Sequence, residues 1–190
     1  LSSYLIKSLA PCYLVTGDEF LLVSEALDSI REKARECSFA SRELHVATPG
    51  FDWAALKAST ENFSLFADRR IIELRLPTGK PGKIGSAAII DLVEQSGPEI
   101  LFIVTGPKLD RSSVASKWAK AIDQKGISLP LWSIGVRELP GWVANRMRSV
   151  DLHPEKDAVM LIADRVEGNL FAAHQEIEKL RLILGKGKVS

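Results

Sequence analysis

The sequence predicts an α/β fold with a parallel sheet that carries helices on both faces, followed by a small all-α lid. Short apolar segments alternate with segments of helical periodicity from residue 12 to residue 132. Residues 100–104 are apolar without alternation, as expected for a central strand buried on both faces. Beyond Trp132 only helical patterns follow, so we predict an α/β domain over 1–136 and a helical lid over 137–190.

Each element has a local signal. Pro11 ends a short first helix, Gly17 turns the chain after the first strand, and Asp18 and Glu19 lie near the positive end of the next helix dipole. Pro and Gly residues bound the helices of the lid. The predicted strands are 12–16, 43–47, 70–76, 100–105 and 127–132. The predicted helices are 1–11, 18–34, 52–60, 85–95, 111–124, 138–149, 154–167 and 170–184.

Composition is that of a soluble globular protein. The chain has 190 residues, 46% of them hydrophobic and 26% charged, and a net charge of +1, which gives no global basic field for nucleic acid. Cys12 and Cys37 form no metal-binding pair, and no apolar run approaches the roughly 20 residues of a membrane helix. We expect a cytoplasmic protein with reduced cysteines and no membrane partner. Its start at Leu1 and end at Ser190 lead us to expect a piece of a longer protein.

The turn after the first strand does not fit a phosphate-binding loop. If Gly17 is the first glycine of that motif, Leu22 stands at the second glycine and Val23 at the essential lysine, and only Ser24 agrees. Valine cannot neutralise a phosphate. We therefore interpret the turn as a helix start.

Other parts of an ATP site are also absent from the sequence. No paired acids follow the strands that end near Leu76 and Thr105, and Phe171 stands where related ATPases carry an arginine three residues after a glycine. The histidines are scattered, so we predict no catalytic residue, no cofactor and no metal. We assign the tryptophans to core packing rather than base stacking: Trp53, Trp118, Trp132 and Trp142.

Residues 64–67 contain a bulky apolar pair inside a connecting segment. Leu65 and Phe66 stand between Ser64 and Ala67, after a predicted helix and before a predicted strand. Connecting segments usually run over the surface. The residues alone leave two interpretations open: the pair is exposed for binding, or it folds back to cap the helix against the sheet.

Several blocks of the sequence together resemble the delta-subunit family of bacterial DNA polymerase III clamp loaders. The blocks are SLFADRR at 64–70, ELRLP at 73–77, GKPGK at 79–83, YLVTGDE at 13–19, PKLDRS at 107–112 with KW at 117–118, VEGNL at 166–170 and QEIEKL at 175–180. The resemblance covers the whole chain. It implies a P-loop-NTPase-like (AAA+-like) domain with a degenerate nucleotide site, because delta joins ATP-binding subunits without binding ATP itself.

The resemblance also implies a function. In that family the residues corresponding to Leu65 and Phe66 insert into an apolar pocket of the ring-shaped sliding clamp (the beta subunit), so Ser64, Leu65, Phe66 and Ala67 are the expected clamp-binding residues. The expected role is a non-catalytic subunit that binds and opens the clamp within a DNA-directed DNA polymerase (nucleotidyltransferase) holoenzyme during DNA replication. The gamma/tau and delta prime subunits would be joined mainly through a carboxy-terminal collar domain that is missing here.

Contact with DNA is expected only inside the assembled loader. Two alternatives of another class stay open: a nucleotide-dependent α/β enzyme with an unconventional phosphate site, and a generic scaffold with a buried Phe66.

Overall fold

The fold is that of a computed structural model in which residues 9–61 and 69–190 are described. Two compact units are present. The sheet unit comprises Leu1–Asp18 and Leu22–Trp132, and the helical unit comprises Glu19–Leu21 and Ser133–Ser190. The predicted domain division between residues 136 and 137 stays a prediction.

The described elements alternate in the sheet unit as the sequence predicts. The strands are β1 (Cys12–Gly17), β2 (Phe39–Val46), β3 (Arg69–Arg75), β4 (Ile100–Gly106), β5 (Ile127–Leu131), β6 (Leu152–Pro154) and β7 (Gly187–Val189). The helices are α1 (Phe20–Glu36), α2 (Trp53–Glu61), α3 (Gly82–Gln95), α4 (Arg111–Val114), α5 (Lys117–Lys125), α6 (Leu139–Ser149), α7 (Lys156–Val166) and α8 (Leu170–Leu184). The predicted first helix, 1–11, falls largely outside the described residues.

A five-stranded parallel sheet in the order β2-β3-β4-β1-β5 forms the sheet unit. Strand β4 is central and fully buried up to Thr105, which confirms its predicted place in the middle of the sheet. Strand β5 lies at an edge, where Pro130 is tolerated because an edge strand needs hydrogen bonds on one side only. The α/β fold class is confirmed.

Alternate residues of the strands face two separate apolar cores. On one face, Leu14, Ile72 and Phe102 pack with residues of α2, α3 and α5. On the other face, Val15 and Ile103 pack with α1. Helices therefore cover both faces, as the alternation of strands and helices predicts.

A buried carboxylate joins the edge strand β2 to the sheet. Glu73 on β3 is 2% exposed, and its two oxygens accept hydrogen bonds from Arg31 of α1 at 2.8 Å and from Arg42 of β2 at 2.7 and 3.1 Å. Burial by itself would raise the pKa of Glu73, but the two guanidinium groups hold the pKa below its ordinary value of 4.5. The charge is therefore kept and paired.

The helical unit contains more than the predicted helices. Strands β6 and β7 form a short parallel pair, so the prediction of helices only after Trp132 is wrong. Three-residue strands are too short to show a periodicity. Val143, Met147 and Ile162 are buried in this unit, whereas Leu161 is 67% exposed.

Two boundaries in the sheet unit also differ from the prediction. The predicted helix 111–124 is two helices, because Asp110 caps α4 through the Ser113 N–H and Ser116 caps α5 through the Ala119 N–H. Strand β2 begins at Phe39 instead of residue 43. The residues after Phe39, namely Ala40, Ser41 and Arg42, are all exposed and none is a large apolar residue, which hides the alternation of a strand.

The Glu73 cluster predicts a pH-dependent loss of stability in Glu73→Gln. At pH 7 the substitution should lower the free energy of unfolding by about 3 kcal/mol, because it leaves two arginines without their buried carboxylate. The pKa of Glu73 is lowered by folding, so its contribution is complete above the ordinary value of 4.5 and is lost as the pH falls through the lower folded-state value. The difference in the free energy of unfolding between Glu73→Gln and the unaltered chain, measured by urea denaturation, should therefore become smaller at acid pH.

A matched control is Glu176→Gln, which removes a carboxylate from the exposed pair that Glu176 forms with Lys179 at 2.9 Å. That variant should unfold at nearly the same urea concentration as the unaltered chain. Two results would contradict a stabilising role of the ionised Glu73 carboxylate. They are an equal loss of unfolding free energy in the two variants, and a loss in Glu73→Gln that does not change with pH.

Candidate functional site

The predicted clamp-binding residues Ser64, Leu65, Phe66 and Ala67 lie outside the described residues, and their placement stays a prediction. The structure does describe both ends of the segment that carries them. That segment follows α2 and leads into Arg69, the first residue of β3.

The helix before the segment is firmly packed. Asp52 caps α2 by accepting a hydrogen bond from the Ala55 N–H at 2.9 Å, and Leu56 is 1% exposed in the core below. The Trp53 ring lies against Gly85 of α3, where a Cβ atom would stand 2.4 Å from the ring. Only glycine allows this close approach. The first half of the helix that leads to the segment is therefore fixed by a cap and by core packing.

The two arginines after the segment contact strand β2. The Arg69 guanidinium donates a hydrogen bond to the Cys37 carbonyl at 2.6 Å and lies 5.9 Å from the centre of the Phe39 ring. Arg70 lies 3.7 Å from a carboxylate oxygen of Glu43. Arg70 thus has an acidic partner within its own chain.

Arg69, the first described residue after the segment, lies at the amino edge of the sheet, where the parallel strands begin. A groove of about 540 Å³ runs along this edge. Residues at or just before the start of every strand line it, among them Pro11, Phe39, Arg69, Pro98 and Lys125. The end of the candidate segment at Arg69 therefore borders a continuous, largely apolar groove.

At the opposite, carboxyl edge lies the turn that fails the phosphate-loop pattern. A Cβ atom on Gly17 would stand 2.4 Å from the Leu131 carbonyl oxygen, so the turn is pressed against the end of β5. The Asp18 carboxylate accepts a hydrogen bond from the Lys108 N–H at 3.0 Å. A negative charge therefore occupies the mouth of this turn, and Val23 offers no cation to oppose it.

Other elements of nucleotide or metal chemistry are similarly unsupported. Within residues 9–61 and 69–190, no group of three or more His, Cys, Asp or Glu side chains is placed to hold a metal ion. At the start of α8, Asn169 caps the helix through the Ala172 N–H at 3.0 Å, and Phe171 is 46% exposed. This position carries an apolar ring where a phosphate sensor would carry a guanidinium group.

One tryptophan departs from the prediction of core packing. Trp118 is 3% exposed, in line with that prediction, but Trp132 is 60% exposed. The Lys108 ammonium lies 5.0 Å from the centre of the Trp132 ring. Trp132 directly follows the edge strand β5, and the mixed residues after it gave no sign that this ring lies beyond the core.

Comparison of the structures defines the class of fold. A solved structure of a Thermotoga maritima RuvB variant matches with a TM-score of 0.53 at 14% identity, covering 100% of this chain and 61% of that one. A Bacillus subtilis DNA clamp loader delta protein (YqeN) matches with a TM-score of 0.72 at 20% identity, covering 100% of this chain and 60% of that one. The chain has an AAA+-like fold.

Sequence comparison then defines the family. The model of the DNA polymerase III delta subunit family matches residues 13–130, so the chain belongs to that family. The DNA polymerase III subunit delta of Escherichia coli is 28% identical over 190 residues, covering 100% of this chain and 55% of the relative. The chain thus spans about half the length of the curated relatives it matches. Across the described ranges, none of the helices is long and apolar enough to cross a membrane.

The geometry of the Gly17 turn predicts that magnesium will not promote ATP binding. A phosphate loop binds Mg·ATP through a lysine and a metal-bound hydroxyl, whereas this turn presents Asp18 and Val23. Adding magnesium to millimolar ATP should therefore leave the melting temperature unchanged, measured by differential scanning fluorimetry at constant ionic strength. A saturable, magnesium-dependent rise of several degrees would contradict this view of the site.

Proposed function

We propose that this chain is the clamp-contacting portion of a clamp-loader subunit, which binds the ring-shaped sliding clamp and opens it during DNA replication. Leu65 and Phe66 are the anchors, and Ser64 and Ala67 shape the loop that presents them. Membership of the delta-subunit family carries this proposal. The described flanks add support, because α2 before the segment is capped and packed at its start and Arg69 after the segment lies at the amino edge of the sheet.

The anchoring of the flanks matters for the energetics of binding. Capped and packed α2 leads into the segment, and β3 leaves it through the contacts of Arg69 with Cys37 and Phe39. A loop held at both ends has less conformational entropy to lose when it docks. An apolar pair on such a loop provides the buried centre that dominates small interfaces.

The same chain is proposed to act without nucleotide chemistry of its own. ATP-driven steps would fall to the gamma/tau subunits, joined together with delta prime mainly through the portion of the relatives that lies beyond this chain. The separation of the two edges supports this division. The candidate clamp contact borders the strand starts, while the degenerate nucleotide turn lies at the strand ends.

The proposal predicts that Leu65→Ala/Phe66→Ala nearly abolishes clamp binding without unfolding the chain. Burial of each side chain contributes roughly 1.5–3 kcal/mol, so the double change should weaken binding by at least about 100-fold. Thermal stability should change by no more than about 1 kcal/mol if the pair is exposed in the free chain. Titration calorimetry with a sliding clamp and thermal melting measure the two quantities.

The matched control is Ile84→Ala/Val114→Ala, which truncates an apolar pair that is 73% and 58% exposed at the other edge of the sheet. This variant should bind the clamp as tightly as the unaltered chain. Loss of folding in Leu65→Ala/Phe66→Ala would favour a scaffold with a buried Phe66, and equal clamp affinity of the two double variants would refute the anchor role.

If the energy of clamp binding is what opens the ring, the chain should unload the clamp from DNA without ATP. A labelled clamp on nicked circular DNA should be released faster when the chain is added, because binding that favours an open ring needs no nucleotide hydrolysis. Leu65→Ala/Phe66→Ala should release it no faster than buffer alone. Equal rates for the two proteins, or a strict requirement for ATP, would rule out this mechanism while leaving clamp binding intact.

A further inference from the structure

The exposed Trp132 and Lys108 form a pair at the carboxyl edge of the sheet that the clamp contact does not use. The Trp132 ring is 60% exposed, and the Lys108 ammonium lies 5.0 Å from its centre. The net charge of the chain, +1, does not indicate this local positive charge. An exposed indole beside an ammonium group offers a flat apolar face and a positive charge at one point of the surface.

The backbone fixes this pair in place. Lys108 follows β4 and Trp132 follows β5, with β1 between the two strands. The Lys108 N–H is held by the Asp18 carboxylate at 3.0 Å, and Gly17 lets the end of β1 lie directly against Leu131. The pair therefore bridges the ends of three neighbouring strands.

Further cations extend along the same edge. Lys80 and Lys83 follow β3, Arg111 follows β4, and all of them are exposed. Hydrogen bonds from the Ser113 N–H, from the Ser112 hydroxyl and from Lys80 hold the pKa of Asp110 far below its usual range. With Lys108 included, four cations follow these strand ends beside three carboxylates, Asp18, Glu19 and Asp110, and Lys80 is paired with Asp110 at 3.0 Å.

We propose that this edge binds single-stranded nucleic acid, with a base stacked on Trp132 and the adjoining phosphates on Lys108 and Arg111. Stacking on an exposed aromatic ring together with backbone contacts to nearby cations is how proteins bind single strands without reading their sequence. The cations and the ring extend from the end of β3 to the end of β5, a distance of three strand spacings or about 14 Å. This length suits a strand of several nucleotides better than a single nucleotide.

This proposal is independent of the clamp contact and has its own measurement. Fluorescence anisotropy of a labelled oligothymidylate of about 20 nucleotides should show saturable, salt-sensitive binding to the unaltered chain. Trp132→Leu should weaken binding about tenfold, and Trp132→Phe, which keeps a stacking ring, should weaken it by no more than about threefold. Lys108→Ala should reduce the slope of log affinity against log salt by about 0.7, the value for one phosphate contact on a single strand.

The matched control is Lys120→Ala, which removes the same charge from the exposed side of α5. It should keep the salt slope and lose little affinity. Leu65→Ala/Phe66→Ala should bind the oligonucleotide normally, so failure of the clamp proposal and failure of this one are distinguishable. Circular dichroism melting of each variant verifies that it is folded.

Four results would overturn the proposal. The first is the absence of saturable binding, and the second is an equal loss of oligonucleotide affinity in Lys108→Ala and Lys120→Ala. The third is an equal affinity of Trp132→Leu and the unaltered chain. The fourth is that thymidine monophosphate or polyglutamate competes as effectively as unlabelled oligonucleotide. Effective competition by the monophosphate would indicate a mononucleotide site, and effective competition by polyglutamate would indicate an acidic peptide surface.

Discussion

The parallel direction of all strands in the main sheet determines which residues of this chain can act together. The strands all end at one edge of the sheet, where the Gly17 turn, Lys108 and Trp132 lie together. They all start at the other edge, where Phe39 and Arg69 lie beside the groove. Strand β3 is 7 residues long, so the two edges lie roughly 20 Å apart. Residues at one edge therefore cannot contact a ligand held at the other without a long connecting loop.

Within that sheet, β3 connects the candidate clamp segment to the core. Its first residue follows the segment, its apolar residues enter both cores, and Glu73 ties it to α1 and to the edge strand β2. An edge strand has a neighbour on one side only, so packing alone holds β2 less firmly than the central strands. The paired carboxylate compensates, and it keeps Phe39 and Cys37 where Arg69 contacts them.

Periodicity and turn residues were sufficient to predict the fold class, the central β4 and the helix α8, because these elements are long or strongly apolar. Features that depend on contacts distant in sequence were missed. Strands β6 and β7 exist only as partners of each other, and Glu73 looks like an ordinary polar residue until Arg31 and Arg42 are placed around it. The break before α5 was missed although its signal is local, since Ser116 caps α5 through the N–H of Ala119, three residues on. Trp132 was assigned to the core because its exposure depends on where β5 ends against its neighbours. The clamp-binding assignment came from family resemblance, and Leu65 and Phe66 lie outside the described residues.

The Gly17 turn stands in an AAA+-like fold but lacks the sequence pattern of a phosphate-binding loop. A phosphate loop needs bare backbone N–H groups and a lysine, but here Asp18 uses its carboxylate to hold the loop after β4. The interaction that would repel a phosphate therefore also positions Lys108 beside Trp132. An internal hydrogen bond therefore joins this turn to the loop after β4, at the place where a phosphate loop contacts its ligand. Under the proposed function, clamp binding would therefore not depend on a nucleotide-dependent state of this turn.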